Sequence, residues 1–290
     1  MTNVQHTIGS ILKISEEWLA ARGVDQPKVD AGALLAHALT MKRLDLYLQT
    51  DRPLMEPELA AFRPLLQRRG RREPVSRILG RKGFWNHDFV ITPEVLAPRA
   101  DSELLVELSL GLDLSEDATV LDLCTGSGCL AISLSAERST WVVQATDLST
   151  AALDVARQNA QLCVPERRIQ WIQSDGFENV DDRFDLIVTN PPYIGLDELD
   201  ELDPEVAEHD PHLALFSGKD GLDLVRRIVT EAPEHLTENG WLLIEHGHQQ
   251  GKALRELLTT HNFSAVETRR DLGQRERVSL GRWTGVDQSS

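Results

Sequence analysis

Between Thr119 and Gly281 short apolar runs alternate with stretches of helical spacing, the pattern that βαβ units write into a chain. The runs at 119–123, 141–146, 169–173, 184–189, 241–245, 264–269 and 277–281 predict strands, and 128–136, 150–162, 222–235 and 249–261 predict the helices between them. Several of these strands are apolar without alternation, as strands buried on both faces are. No helical stretch separates the last two, so they predict a hairpin and one antiparallel strand. The expectation is an α/β fold with a seven-stranded doubly wound sheet, its last strand antiparallel.

Upstream the spacing is helical. Ile8, Ile11, Leu12, Trp18 and Leu19 share a face, with Thr7 placed to cap the helix and Gly23 to stop it. Leu34, Leu35, Ala38 and Leu39 mark a second stripe over 29–39, and Leu59, Phe62, Leu65 and Leu66 another over 57–69. Residues 1–80 therefore read as a small all-α N-terminal domain suited to substrate recognition. Phe84-Trp85 and His87 to Ile91 read as a β-hairpin linker over 81–100, and a catalytic domain fills 101–290, a division that suits a chain of 290 residues. Asp101 is placed to cap the helix carrying Leu104, Leu105 and Leu108. The polar tail from Thr284 reads as loose.

A formal net charge of −16 argues against wrapping nucleic acid over the whole surface, because such binding neutralises phosphates with Lys and Arg. Against that background Arg68, Arg69, Arg71, Arg72, Arg77, Arg81 and Lys82 form a basic patch. It is open to two readings: a helix end whose cations suit the dipole, or a contact with RNA or an acidic protein surface. The first 22 residues lack the pattern of a secretory leader, and no apolar run approaches membrane-spanning length. The expectation is a cytoplasmic monomer that meets no membrane and binds no DNA directly. Cys124, Cys129 and Cys163 lack metal-ligand spacing and suit a reducing compartment, so no metal site is expected.

Candidate chemistry gathers where the predicted strands end. Asn190-Pro191-Pro192-Tyr193 follows the run at 184–189. Two prolines hold the backbone extended and leave carbonyls free to accept, Asn190 adds a side-chain carbonyl, and Tyr193 adds a flat face. Together they suit a planar group with an NH2, either a primary amide or an exocyclic base amine. Earlier, Cys124-Thr125-Gly126-Ser127-Gly128 follows the strand at 119–123 and opens a helix, so backbone can pass close beneath a ligand. Asp147 lies about 20 residues beyond, placed for two ribose hydroxyls. Dinucleotides and S-adenosylmethionine share that ribose, but the loop lacks the third glycine of the dinucleotide fingerprint, which favours a ligand without phosphates. Asp175 ends the third strand, positioned for an adenine amino group or, more plainly, as a turn cap.

With Gly80 to Trp85, Pro98-Arg99, Asp101-Ser102-Glu103, the 122–128 loop, Asn190 to Tyr193, Asp210 to Leu215, Asp220 to Asp223, Glu245-His246-Gly247 and Arg275-Glu276-Arg277, in order over nearly the whole chain, the sequence resembles the HemK/PrmC family. These are N5-glutamine methyltransferases that act on the Gly-Gly-Gln motif of class I peptide chain release factors. The resemblance implies a class I S-adenosylmethionine-dependent methyltransferase fold, S-adenosylmethionine as methyl donor with S-adenosylhomocysteine as product, and release factors as partner. It implies cofactor contacts at Cys124, Thr125, Gly126, Ser127, Gly128, Asp147, Leu148, Asp175, Gly176, Phe177, Asn190 and Arg99. Catalysis and substrate binding fall to Asn190, Pro191, Pro192 and Tyr193.

Two positions depart from the family pattern. Cys124 makes the loop closer to a sister family that methylates ribosomal protein L3, which is the alternative substrate. Gly176 stands where a bulky residue often packs near adenine, so adenine contacts there fall to the backbone or to Phe177. A DNA or RNA amino-methyltransferase, using similar Asn-Pro-Pro-aromatic logic on a flipped base, is the more distant reading. Glu245 and His246 alone are weak as acid/base or metal ligands. The acidic stretch 194–219 reads as a lid over a basic substrate loop.

Overall fold

Thr7 caps the first helix as expected: its hydroxyl accepts from Ser10 N–H at 3.3 Å while Ser10 Oγ accepts from Thr7 N–H at 2.8 Å. The computed structural model describes residues 6–285, apart from the side chain of Asp200. The expected loose tail therefore lies, beyond residue 285, outside the described residues, as do the first five residues of the stretch read for a leader.

The chain divides into two compact units, one of Met1–Gly80 with Asp203–His209, the other of Arg81–Leu202 with Asp210–Ser290. In the first, α1 (Ile8–Ala20), α2 (Pro27–Ala38), α3 (Arg43–Leu48), α4 (Glu56–Gly70) and α5 (Val75–Leu79) close around Ile8, Leu34, Leu35, Leu46 and Phe62. Both α3 and α5 are too short to show a periodicity, and the sequence does not announce them. Much of the basic patch is internally paired. Arg68 Nε reaches Glu73 at 2.7 Å. Arg69, only 6% exposed, bonds Asp30 at 2.7 Å and Glu205 at 3.0 Å, and Arg72 grips Glu205 through two nitrogens at 2.6 and 2.7 Å. For these arginines the acidic surface is one that the chain itself supplies.

The second unit opens with the hairpin β1 (Arg81–Phe84) and β2 (His87–Val90), antiparallel with Arg81 opposite Val90. Then come α6 (Glu103–Gly111), β3 (Thr119–Leu123), α7 (Cys129–Glu137), β4 (Val142–Asp147), α8 (Thr150–Cys163), β5 (Ile169–Gln173) and β6 (Phe184–Thr189). After α9 (Pro204–Ala207), which belongs to the first unit, follow α10 (Asp223–His235), β7 (Leu236–Glu245), α11 (Gly251–Thr260), β8 (Phe263–Arg270) and β9 (Glu276–Trp283). The sheet order is β5-β4-β3-β6-β7-β9-β8, with β9 antiparallel to both neighbours. Leu105, Val106, Ala131 and Ile132 of α6 and α7 pack on one face, and Val225, Ile228, Leu254 and Leu258 of α10 and α11 on the other. The doubly wound sheet with an antiparallel last strand is as expected.

Two local expectations are corrected. Strand β7 starts at Leu236, opposite Phe184, and not at residue 241, because the polar run Thr237 to Gly240 pairs through a bulge where its composition suggests a turn. Ser102, not Asp101, occupies the N-cap of α6. Asp101 sits in a 3-10 turn, Ala100–Ser102, and its carboxylate faces Arg277 at 3.2 Å.

Candidate active site

Strand order reverses about β3, whose neighbours β4 and β6 leave in opposite directions, and ligands of open α/β sheets settle beyond the carboxyl ends of strands at such a point. A cavity of about 450 Å³ opens there, within the ordinary range for small-molecule sites. Its floor is the loop after β3. Asp122, fully buried, accepts from Thr125 Oγ1 at 2.5 Å and from Ala131 N–H at 3.0 Å, tying the loop to the first turn of α7. Burial pushes its carboxyl up to about 7, against the pull of those two donors. Cys124, Thr125, Gly126 and Ser127 line the cavity. Gly126 has φ +54°, and a Cβ there would meet nothing within 4 Å, so its backbone is laid open to a ligand.

Gly128 has a packing task. It does not line the cavity; at φ +81° a Cβ would press on Ala156, Ile132 and Trp171 at 3.0–3.2 Å. This side of the loop is held by close packing between helix and sheet.

Asp147 closes β4 and lines the cavity beside Leu148. One carboxylate oxygen accepts from Gly126 N–H and the other from Ser149 N–H, each at 2.9 Å. Those bonds fix its plane and leave further lone pairs for hydroxyl donors. Burial raises its pKa, and the two backbone donors hold it back. Asp175 and Gly176 also line the cavity, but Asp175 is shared: Arg227 of α10 donates to its Oδ1 at 2.8 Å. A Cβ on Gly176 would stand 2.5 Å from Arg227 Nη2, so the guanidinium fills the space of the missing side chain. The side chain of Phe177, expected near adenine, lies in the core. Phe177 is buried away from the cavity and stacked on His235 at 4.5 Å, because an aromatic after the turn serves the core beneath α10.

Asn190 follows β6, and both it and Pro192 line the cavity. Asn190 Nδ2 donates to Ser102 Oγ at 3.0 Å, which leaves Oδ1 as the acceptor offered to the cavity. Among the described residues no hydrogen bond ends on the carbonyl oxygen of Pro191 or Pro192. Pro191 is buried and does not line the cavity. Tyr193 does not line it either; its hydroxyl turns to Glu245 Oε1 at 3.4 Å. Burial, then the Glu245 charge, raises the phenol pKa. Arg99 lines the cavity and pairs with the buried Asp210 at 2.6 Å. Beyond Asp210, Pro211, Leu213, Ala214 and Phe216 form a wall, so the second half of the acidic stretch is part of the cavity itself.

Comparison with known proteins covers almost the whole chain. Residues 10–80 match the PrmC N-terminal domain, and residues 100–202 the methyltransferase small domain. A release factor glutamine methyltransferase of Xylella fastidiosa is 42% identical over 276 residues, 92% of this chain and 97% of the relative. One of Cereibacter sphaeroides is 43% identical over 264 residues, 91% and 94% of the two chains. The chain belongs to the release factor glutamine methyltransferase family. A solved methyltransferase of Pyrococcus furiosus, at 19% identity, covers 69% of this chain and 89% of its own with a TM-score of 0.51, a likeness of fold.

In this member of the release factor glutamine methyltransferase family, several residues shape the site without an obvious signal in the sequence. Gln250 donates from Nε2 to the Tyr193 carbonyl at 2.9 Å and pins the loop after β6 from below. Ser102 and Arg227 orient Asn190 and Asp175. The family motifs at Asp101-Ser102-Glu103, Asp220 to Asp223 and Glu245 to Gly247 flank these residues and are the signal that could have found them. Among the described residues no group of three or more His, Cys, Asp or Glu could hold a metal, and no helix is long and apolar enough to cross a membrane.

Proposed function

We propose that this chain transfers a methyl group from S-adenosylmethionine to the side-chain amide nitrogen of the glutamine in the Gly-Gly-Gln motif of class I peptide chain release factors. The observation that carries this reading is Asn190, held by Ser102 with Oδ1 as its free acceptor on the wall of a cavity floored by Gly126 and edged by Asp147. The relatives are named for the same activity.

The residues present fit the cofactor. Asp147 keeps lone pairs for ribose hydroxyls, Asp175 offers a carboxylate oxygen for the adenine amine, and the open backbone at Gly126 admits the amino-acid end. When bound, S-adenosylmethionine supplies a methyl group on a sulfonium sulfur. A glutamine amide nitrogen is a poor nucleophile, its lone pair being delocalised into the carbonyl. Asn190 Oδ1 and a main-chain carbonyl of Pro191 or Pro192 are acceptors for its two N–H bonds, and together they hold the nitrogen facing the methyl. Orientation of this kind supplies most of the rate. The same acceptors stabilise positive charge growing on nitrogen, so no strong base is needed for the attack. Tyr193 anchors the end of the loop. Such an enzyme works in the cytoplasm, and the acceptor protein is its partner.

The test is intact-mass analysis of a purified release factor incubated with this chain and S-adenosylmethionine, beside a Gly-Gly-Gln to Gly-Gly-Ala control and a sample of ribosomal protein L3. One methyl gained by the wild-type factor alone supports the reading. Gain by L3 alone moves the substrate to the sister family, and gain by neither overturns both.

A further inference from the structure

The turn after β5 is held by a residue from a distant helix. Arg227, on α10, donates from Nη1 to Asp175 Oδ1 at 2.8 Å and from Nη2 to the main-chain carbonyl of Asp175. Its Nε faces Glu231 Oε1, one turn along the same helix, at 3.3 Å. All three nitrogens of the guanidinium are therefore engaged. Gly176 makes room for them: it has φ +59°, and a Cβ there would stand 2.5 Å from Nη2 and 3.1 Å from Cζ. The helix that carries Arg227 is itself seated, with Val225, Ile228, Val229 and Ala232 buried in one cluster with Ile187 and Leu242 of the sheet. Ser174 locks the same turn, its hydroxyl donating to the Gly176 carbonyl at 2.9 Å and accepting from Asn179 N–H at 3.0 Å.

The side chains of Arg227 and Asp175 are 33% and 44% exposed, and an ion pair so open to water adds little to stability. What it adds is order. A carboxylate with no partner turns freely about its two side-chain torsions. Here one guanidinium holds both a carboxylate oxygen and the main chain of the same residue, so the direction of the second oxygen is set. That second oxygen, Oδ2, has no hydrogen-bond partner among the described residues, and Asp175 lines the cavity.

Resting on the cofactor reading above, we propose that Arg227 is a positioning residue that gives the site its preference for adenine, by reserving Asp175 Oδ2 for the exocyclic amine of the base. Donors and acceptors decide the match. An exocyclic NH2 brings protons to a carboxylate that can only accept. A base with a carbonyl in that place brings lone pairs, and two acceptors then meet with no proton between them. This discrimination lasts only while the carboxylate cannot turn away. Arg227 prevents that turn, and with each nitrogen occupied it is not free to serve a base carbonyl itself. Asp147 has no part in the choice, since the ribose hydroxyls assigned to it are the same whichever base is attached.

Calorimetry on the full chain tests this with two ligands, S-adenosylhomocysteine and S-inosylhomocysteine, which differ at the base alone, with an amine in one and a carbonyl in the other. The wild type is expected to bind the adenosyl compound more tightly by roughly 10- to 150-fold, the range of one hydrogen bond to a charged group. In Arg227→Ala that preference is expected to shrink by about tenfold, through weaker binding of the adenosyl compound, with the inosyl compound held as well as before or better. Asp175→Ala is expected to do the same. Arg227→Ala placed on Asp175→Ala is expected to change the preference no further, because the arginine acts through that carboxylate. A fall in both affinities by one factor in Arg227→Ala would make the arginine a structural prop and overturn the inference, as would a further loss of preference in the double variant. A wild type that binds both compounds equally overturns it as well, with the cofactor site left standing. A wild type that binds neither overturns the cofactor reading, and the inference falls with it.

Discussion

A Cβ built on Gly221 would stand 2.0 Å from the main-chain oxygen of Tyr193. Gly221 also has φ +77°, and the carbonyl it lies against is the one Gln250 holds at 2.9 Å. The loop bearing Asn190 is thus set by a backbone contact that only glycine permits. Gly221→Ala is expected to destabilise the fold by about 2–5 kcal/mol, from left-handed strain plus forced repacking. It should also lower methylation more than the loss of stability explains, because the loop must shift. Thermal unfolding beside turnover of the remaining folded protein checks both; an unchanged melting temperature would refute the contact.

Asn190→Ala removes the Oδ1 acceptor from the wall and leaves the floor of the cavity intact. The expected result is a loss in kcat of about 100–1000-fold, as for one preorganised polar group, with little change in affinity for S-adenosylhomocysteine. Turnover against calorimetric binding separates the two. Near-normal turnover would end the proposed role.

Asp147→Asn keeps the shape of the carboxylate but not its charge. The Gly126 and Ser149 N–H groups then compete for a single carbonyl oxygen, and one of them faces an NH2. Hydrogen bonds to a charged group are worth about 1.5–3 kcal/mol, so affinity for S-adenosylhomocysteine is expected to fall by roughly 10- to 150-fold. Calorimetry on the folded variant is the measurement, and an unaltered Kd would remove Asp147 from the cofactor site.

Arg69 joins Asp30 and Glu205, with all three side chains under 20% exposed. Removing the arginine strands two carboxylates together, whereas Glu205→Gln leaves Arg69 still bonded to Asp30. Arg69→Ala is therefore expected to cost about 3–5 kcal/mol and Glu205→Gln markedly less. Urea unfolding of the full chain would show the order, and equal effects would contradict it.

What could be read from the sequence follows from range. Strands β3 and β6 are buried on both faces, so their apolar runs declare them, and Asn190 and Asp147 are found at strand ends because the strands are found. Contacts between distant residues leave no such trace. Ser102 is 88 residues from Asn190, Gln250 is 57 from Tyr193, and Arg227 is 52 from Asp175. Phe177 is ambiguous for a related reason: an aromatic beside a predicted ligand residue fits a stacking role and a core role equally, and its side chain stacks on His235. Gly128 likewise belongs to a glycine-rich loop yet answers to Trp171 and Ile132.

Asp122 ties the loop after β3 to α7 but carries an Oδ1 with no partner among the described residues, and burial has moved its carboxyl from 3.8 to about 7. The folded state thus binds this proton more tightly than the unfolded chain does. Stability from that preference is complete below pH 3.8, declines as pH rises, and is gone once pH passes about 7. A shift of that size corresponds to about 4 kcal/mol. Asp122→Asn carries no proton to lose, so its stability relative to the wild type is expected to improve steadily between those two pH values and then level off. Urea midpoints for both proteins across that window give the difference directly, free of the other titrating groups they share. A difference that stays flat, or that moves the opposite way, would mean that Asp122 is ionised in the fold throughout, and that its two donors outweigh its burial.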